Sequence, residues 1–487
     1  MMSNEERVDL VVIGGGVNGA GIARDAAKRG LSVALFEKGD FCSGTSAWSS
    51  RLIHGGLRYL EYFEIPLVYE SLNERRHLQR IAGHLVKPIR IAIPVYQGAR
   101  RGRTLIRLGL MFYDLLAFRK RLPGHELIGR NAALRAEPGL NPDGLRALAR
   151  YFDGQVTFAE RLVIENLLDA RGHGAIVRNY SPVIEILETD GDVRGVAWRD
   201  PDDDVRHETL AGAVINAAGP WVDAVLDTAG AQERDYIGGT KGSHIIVSPF
   251  KGAPHDGIYV EAAADGRPFF ILPWNGLVLI GTTDIRYEGD LDSARISATE
   301  ADYLIAETNR VFPGARLSQE SVHYAYAGVR PLPRKDAVPE SAITREHQVI
   351  ENTDIARGLY SIIGGKLTTF RSLAEEVVDR VTADRGMPQQ DCTTATDALP
   401  GAVELEAVRS RLEAVTAISS EGRERLLAVY GGRAAVLLDG IDQGQWPAGT
   451  LADAGRVLQA EIPFAFEREF ARDLCDIVHR RLMIGFD

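Results

Sequence analysis

The chain has 487 residues, 45% hydrophobic and 25% charged, with a net charge of −11. The length predicts two or three domains and a large core, and the acidic balance excludes a general nucleic-acid binder. Cys42, Cys392 and Cys475 form no spaced set, so neither a disulfide framework nor a metal site is expected, and a reducing compartment is.

Glu5 and Glu6 and an apolar run that breaks at Gly14 do not make a secretory signal. No stretch of 18 uncharged apolar residues is present, so no membrane span is expected. Val8 to Ile13 is an apolar run with β-branched bias, which predicts a buried parallel strand. Gly14, Gly16 and Gly19 follow at Gly-x-Gly-x-x-Gly spacing, ahead of a helix rich in small residues. There the first glycine makes a tight turn, the second admits a pyrophosphate and the third lets helix and strand pack. The anion sits on the free amides of the helix start. A second strand, Ser32 to Phe36, ends at Glu37, where a carboxylate accepts hydrogen bonds from ribose hydroxyls and repels a 2′-phosphate. This context argues for a bound dinucleotide, FAD before NAD, and against NADP.

Residues 41–62 are dense in Ser, Thr and Gly, then reach His54, Gly55, Gly56, Arg58 and Tyr59. Small hydroxyls such as Thr45, Ser46, Ser49 and Ser50 bond phosphates and flavin edges without filling space. A helix is predicted over Pro66 to Arg80. The most basic stretch runs to Arg121, with Arg100, Arg101, Arg103 and Arg107 before LGLMFYDLLAF and Arg119, Lys120 and Arg121 after it. As a helix it carries Arg103, Arg107, Asp114 and Arg121 on one stripe among apolar residues. That profile fits a helix lying in an anionic membrane surface, and it equally fits a core helix with a solvated stripe.

A helix is expected within 151–175, capped by Asp153 or Thr157. Strands follow at Ile176 to Val177, Val183 to Leu187 and Val193 to Trp198, with Asp190-Gly191-Asp192 as a hairpin signal. A further strand, Ala213 to Asn216, leads into Ala-Ala-Gly-Pro-Trp, and the run Asp200 to Asp204 reads as a solvated turn. From 226 to 345 short strands alternate with turns, as in a mixed substrate sheet, and KGSHIIV, GTTD, GVRPLPR and ITRE put cations or hydroxyls at strand ends. GLYSIIGGKLTTFRSL predicts a strand, a Gly364-Gly365 turn and a helix starting near Thr368 or Thr369, with Lys366 beside it. Such a helix start and lysine stabilise negative charge on a reduced flavin. Beyond about 390 the chain reads as a helical packing domain.

Taken in order, IGGGVNGAGIARDAAKRG, SSRLIHGGLRYLE, NAAGPWVD, KGSHIIV, IGTTD, GVRPL, AITRE and GGKLTTFR resemble the FAD-dependent glycerol-3-phosphate dehydrogenases of the bacterial aerobic type. The resemblance covers essentially the whole chain, within the broader class of glycine oxidase and D-amino-acid-oxidase-like flavoproteins. It implies an α/β fold: a Rossmann-like FAD-binding domain (1–87, 150–225 and 346–385), a mixed-sheet substrate domain (88–149 and 226–345) and a helical C-terminal domain (390–487). It implies oxidation of sn-glycerol 3-phosphate to dihydroxyacetone phosphate, with electrons passing from FAD to a membrane quinone. Peripheral attachment at the cytoplasmic face of the inner membrane, through an anionic lipid surface at 100–121, and a homodimer are also implied.

Carried over by motif, the substrate positions are Arg58, Tyr59, Thr283, Arg330, Arg345 and Lys366. The cofactor positions are Gly14, Gly15, Gly16, Asn18, Gly19, Ala20, Glu37, Thr45, Ser46, Ser50, His54, Val183, Gly219, Lys366, Leu367 and Thr368. Independently, a phosphate dianion needs fixed guanidinium groups, and alcohol oxidation needs a hydride acceptor and a base. His54 or His244 is the expected base, with Arg330 and Lys366 as charge stabilisers. The alternatives are a glycerol-3-phosphate oxidase using oxygen, an oxidase or dehydrogenase of another hydroxy or amino acid, and a non-enzymatic flavin-binding protein.

Overall fold

The computed structural model describes residues 6–99, 101–117, 122–230, 235–335, 343–416, 418–451 and 455–486. Arg100, Arg119, Lys120 and Arg121 lie outside the described residues. Glu6–Ile13 is the central strand of an eight-stranded sheet, parallel to Val33–Phe36 on one side and to Arg206–Asn216 on the other. Ile176–Arg178 and Leu359–Ile363 extend the parallel array, and Gln348–Glu351 closes one edge antiparallel. Leu10, Val11 and Val12 are fully buried, as strands covered on both faces require. Helices Val17–Lys28 and Ala159–Gly172 pack on each other, and Phe370–Asp384 packs beside the first of them.

The second sheet has ten strands and is mostly antiparallel. Thr240–Val247 pairs with Leu277–Gly281 and with Val322–Arg330, and Val86–Tyr96 pairs with Leu145–Val156. The expected segment 1–87 is divided between sheets, because Leu52–Ile53 pairs with Gln155 and Gly154 of this second sheet. Counted over the described residues, the chain therefore crosses between sheets four times, at 37–51, 157–175, 217–239 and 331–347.

Most predicted elements form with longer bounds, because strand ends add residues that pair without being apolar. The hairpin at Asp190-Gly191 has both residues at positive φ, which suits a tight turn between twisted strands. The expected cap differs. Residues 145–156 are strand, the helix starts at Ala159, and its start has no side-chain cap. Asp153 is instead buried in that strand, paired with Arg75 and accepting from Tyr113.

The C-terminal region is helical over Leu405–Ala414, Ser420–Val429, Ala434–Asp442 and Glu461–Arg468. It joins the cofactor sheet through buried ion pairs. Arg161 donates both terminal nitrogens to Glu469 at 2.6 Å, and Arg481 makes a two-pronged pair with Asp40 at 2.7 and 2.9 Å. Asp40 lies three residues past Glu37, so the chain's end clamps the loop after the second strand.

Candidate active site

A cavity of about 1750 Å³ opens along the carboxyl ends of the parallel strands, where open α/β sheets bind ligands. Three of the four inter-sheet crossings line it: 37–51, 217–239 and 331–347.

At one end lies the glycine turn. Gly19 has no room for a side chain, since a Cβ there would sit 1.9 Å from the Gly14 carbonyl oxygen. The helix Val17–Lys28 begins at Gly16 without a side-chain cap, and its first-turn amides lack intrahelical acceptors. Ser46 Oγ accepts one of them, from Val17 at 2.9 Å. Asn18 Oδ1 and Trp221 Nε1 are buried polar atoms with no hydrogen-bond partner among the described residues, and both residues line the cavity. Glu37 accepts from Gly15 N at 2.7 Å and Gly39 N at 2.8 Å. Burial raises its carboxyl pKa and the two amides oppose that. Unfilled amides, two orphaned polar atoms and an acid beyond the second strand fit a dinucleotide.

Gly14, Gly16, Asn18, Glu37, Thr45, Ser46, Ser50, His54, Val183, Gly219, Lys366, Leu367 and Thr368 all line this cavity. Gly15, Gly19 and Ala20 do not. Gly15 holds Glu37 through its amide, while Gly19 and Ala20 are buried against the strand and turn. Thr45 spends its hydroxyl proton on the Val329 carbonyl, and Thr368 Oγ1 accepts from His54 N at 3.1 Å.

Further along, cations converge. Arg330 donates from Nη1 to Asp284 at 2.9 Å and from Nη2 to Thr282 Oγ1 at 3.0 Å. Gly242 leaves the space that this guanidinium fills, since a Cβ there would lie 2.1 Å from Nη2. Burial lowers the Arg330 pKa to about 10 against the pull of Asp284, so it remains a cation at neutral pH. Arg345 approaches the other Asp284 oxygen at 3.7 Å. Lys366 Nζ donates to Ser71 Oγ at 2.8 Å and stands 4.6 Å above the Tyr59 ring. Arg58 and Tyr59 line the same cavity from a 3-10 turn, Leu57–Tyr62.

Thr283 is not among the lining residues. Its hydroxyl donates to Glu300 at 2.8 Å and accepts from Ser243 N at 2.9 Å, behind the wall. Thr282 and Asp284 face the cavity in its place. Alternation along an extended segment sends neighbours to opposite faces, and motif matching settled on the wrong parity. Arg267, Tyr259 and Phe270 also line the cavity and carried no sequence signal beyond lying in short strands or turns.

Both candidate histidines line the cavity. His54 has its pKa lowered to about 3 by burial, then by Lys366, Arg345 and Arg75. His244 is almost wholly buried, and its Nε2 lies 2.8 Å from Ser50 Oγ. The segment around Arg103–Leu116 forms the cavity mouth. Helix residues Leu105, Ile106 and Phe112 line it beside Phe63. Most exposed large apolar side chains among the described residues fall here, on 62–69 and 105–115. No described helix is long and apolar enough to cross a membrane.

A family model described as FAD dependent oxidoreductase matches residues 9–379, and one described as the C-terminal domain of alpha-glycerophosphate oxidase matches 392–487. A glycerol-3-phosphate dehydrogenase of Synechocystis sp. is 44% identical, over 98% of this chain and 89% of its own. A D-erythritol 1-phosphate dehydrogenase of Brucella abortus is 37% identical, over 99% of this chain and 95% of its own. The crystal structure of the glycerol-3-phosphate dehydrogenase from Bacillus halodurans, complexed with FAD, superposes with a TM-score of 0.80. It is 28% identical, over 100% of this chain and 87% of that one. FAD is therefore the dinucleotide that the cradle takes, and the chain belongs to the glycerol-3-phosphate dehydrogenase family of FAD-dependent oxidoreductases.

Proposed function

We propose that this chain oxidises sn-glycerol 3-phosphate to dihydroxyacetone phosphate and passes the electrons to a membrane quinone. The observation that carries the reading is the convergence of Arg58, Arg330, Arg345 and Lys366 on one cavity beside the FAD cradle. FAD supplies the hydride acceptor. A phosphate dianion seated among these cations gains charge-assisted hydrogen bonds that glycerol alone cannot make. Arg330 is held by Asp284 and Thr282, so its fork is oriented before the substrate arrives.

His54, which lines the cavity beside these cations, takes the hydroxyl proton in this reading. In the free protein it is neutral, as a base must be, because burial and then the cationic groups around it oppose protonation. Arriving dianion offsets Lys366 and Arg345, which moves the imidazole pKa back toward the working range of a general base.

The quinone reading is supported by the cavity mouth. Leu105, Leu108, Met111, Phe112 and Leu115 are exposed on one helix, with Arg103 and Arg107 exposed beside them. An anionic lipid surface accommodates both the apolar face and the cations, and it places the mouth against the phase in which a quinone dissolves.

The test is anaerobic bleaching of the flavin. Loss of the yellow absorbance with sn-glycerol 3-phosphate but not with glycerol is the expected result. Faster bleaching by D-erythritol 1-phosphate would move the substrate to the four-carbon alditol phosphate. Re-oxidation by a quinone analogue in preference to air is expected of a dehydrogenase, and the reverse preference would make the protein an oxidase.

A further inference from the structure

His244 and Ser50 form a pair whose chemistry the substrate site does not use. Ser50 lies in the loop before Leu52–Ile53 and His244 on the strand Thr240–Val247, and the side chains meet at the cavity wall, Ser50 Oγ 2.8 Å from His244 Nε2. The imidazole is pinned on several sides. It stacks on Tyr326, centroids 4.9 Å apart at 25°, and a Cβ on Gly281 would sit 2.3 Å from its Cδ2. The same tyrosine donates its hydroxyl to the Ser49 carbonyl at 2.8 Å, so both residues of the Ser49-Ser50 step are fastened from this strand pair.

Burial, then Arg330 and Arg51, keep His244 neutral. A neutral imidazole carries one N–H. Nδ1 is buried with no hydrogen-bond partner among the described residues. Placing the proton there would bury an unpaired N–H, the rarest kind of orphaned group in folded proteins. The proton on Nε2 instead meets Ser50 Oγ, and only a lone pair is left without a partner.

We propose that His244 is a positioning residue: it donates from Nε2 to Ser50 Oγ and thereby commits the Ser50 hydroxyl proton to an acceptor on the flavin. A serine hydroxyl has a single donor, and the partner of Ser50 Oγ among the described residues is His244. With His244 filling an acceptor site, the hydroxyl proton turns into the cavity. A fixed donor there favours the more electron-rich, reduced isoalloxazine. His244 thus acts on the flavin's electronics through Ser50 and takes no proton from the substrate.

Two measurements on the FAD-loaded protein test this, and neither requires turnover. In protein labelled with 15N-histidine, the His244 ring, assigned through its contact with the Tyr326 ring, should carry its proton on Nε2; a proton on Nδ1 overturns the proposal. In potentiometric titration, Ser50→Ala should lower the reduced-to-oxidised flavin ratio at a fixed potential about tenfold, or about 30 mV for a two-electron couple. His244→Leu should shift it in the same direction. His244→Gln, whose amide keeps a donor, should stay within about threefold of the parent. An unchanged or raised ratio in Ser50→Ala or His244→Leu overturns the proposal.

Discussion

Glu37 holds two backbone amides, from Gly15 and Gly39, while its remaining lone pairs face the cavity. A carboxylate can accept about four hydrogen bonds, so the same residue can brace the glycine turn and still have acceptor capacity for ribose hydroxyls. Its place beside the glycine turn is legible from spacing, because strand, turn and helix lengths fix where the second strand ends. Thr283 and Thr282 mark where legibility stops: both sit in one motif, and only the pleat decides which faces the site. Asp153 was misread for the related reason that a cap and a buried strand acid look alike before the fold pairs it with Arg75.

Arg330→Lys should raise KM at least tenfold, because one ammonium cannot reproduce the fork that meets Asp284 and Thr282 at once; steady-state kinetics check it. His54→Gln should slow flavin reduction about 10²- to 10⁴-fold, read by stopped-flow absorbance. His244→Gln should slow it less than about tenfold, below the usual range for a general base. If neither variant slows reduction more than that, the proton goes elsewhere.

Among the elements, the helix Arg103–Leu116 carries the most information. Its sequence fits two readings, and packing separates its faces. Leu110 and Tyr113 are buried, while Leu105, Leu108, Met111 and Leu115 are at least half exposed. The exposed row sits beside Phe63, which is 84% exposed on the neighbouring turn. Leu108→Ser with Leu115→Ser should abolish binding to anionic vesicles in sedimentation while leaving the Tm within about 2 °C, as surface substitutions do. Leu110→Ala should cost about 2–5 kcal/mol of stability by opening a cavity, so it cannot serve as the membrane probe. Equal vesicle binding by the double variant and the parent would remove this helix as the lipid contact. Periodicity could not assign these faces because both are apolar; which one is covered depends on residues 57–62 and on a strand distant in sequence.

Across the whole molecule, buried ion pairs tie the C-terminal helices to the cofactor sheet. In the sequence each of these arginines reads alone as a surface cation, so their pairing is not legible there. Burial would raise the Glu469 carboxyl pKa, yet Arg161 and Arg433 overcome it and hold the pKa at about 2. A folded-state value below the unfolded 4.5 means that stabilisation is present above the unfolded pKa and lost as pH falls toward 2. Glu469→Gln should therefore cost about 3–5 kcal/mol at pH 7, the penalty for breaking a buried pair. The gap in Tm between variant and parent should narrow as pH falls from about 5 toward 3; calorimetry across that range checks it. The two-sheet architecture was readable from pattern, because parallel and alternating strands differ in apolar spacing. The four crossings were not, since pairing partners such as Leu52 and Gln155 lie about a hundred residues apart. Those crossings constrain how such a protein can diversify. A substrate half that enters and leaves the cofactor half at several points cannot be exchanged as a cassette, for three of the four splices would fall along the cavity and the other within a buried helix packed on the glycine-turn helix. New specificity in this lineage has to come from point changes on walls such as those around Arg267, Tyr259 and Asp284, with the scaffold inherited whole.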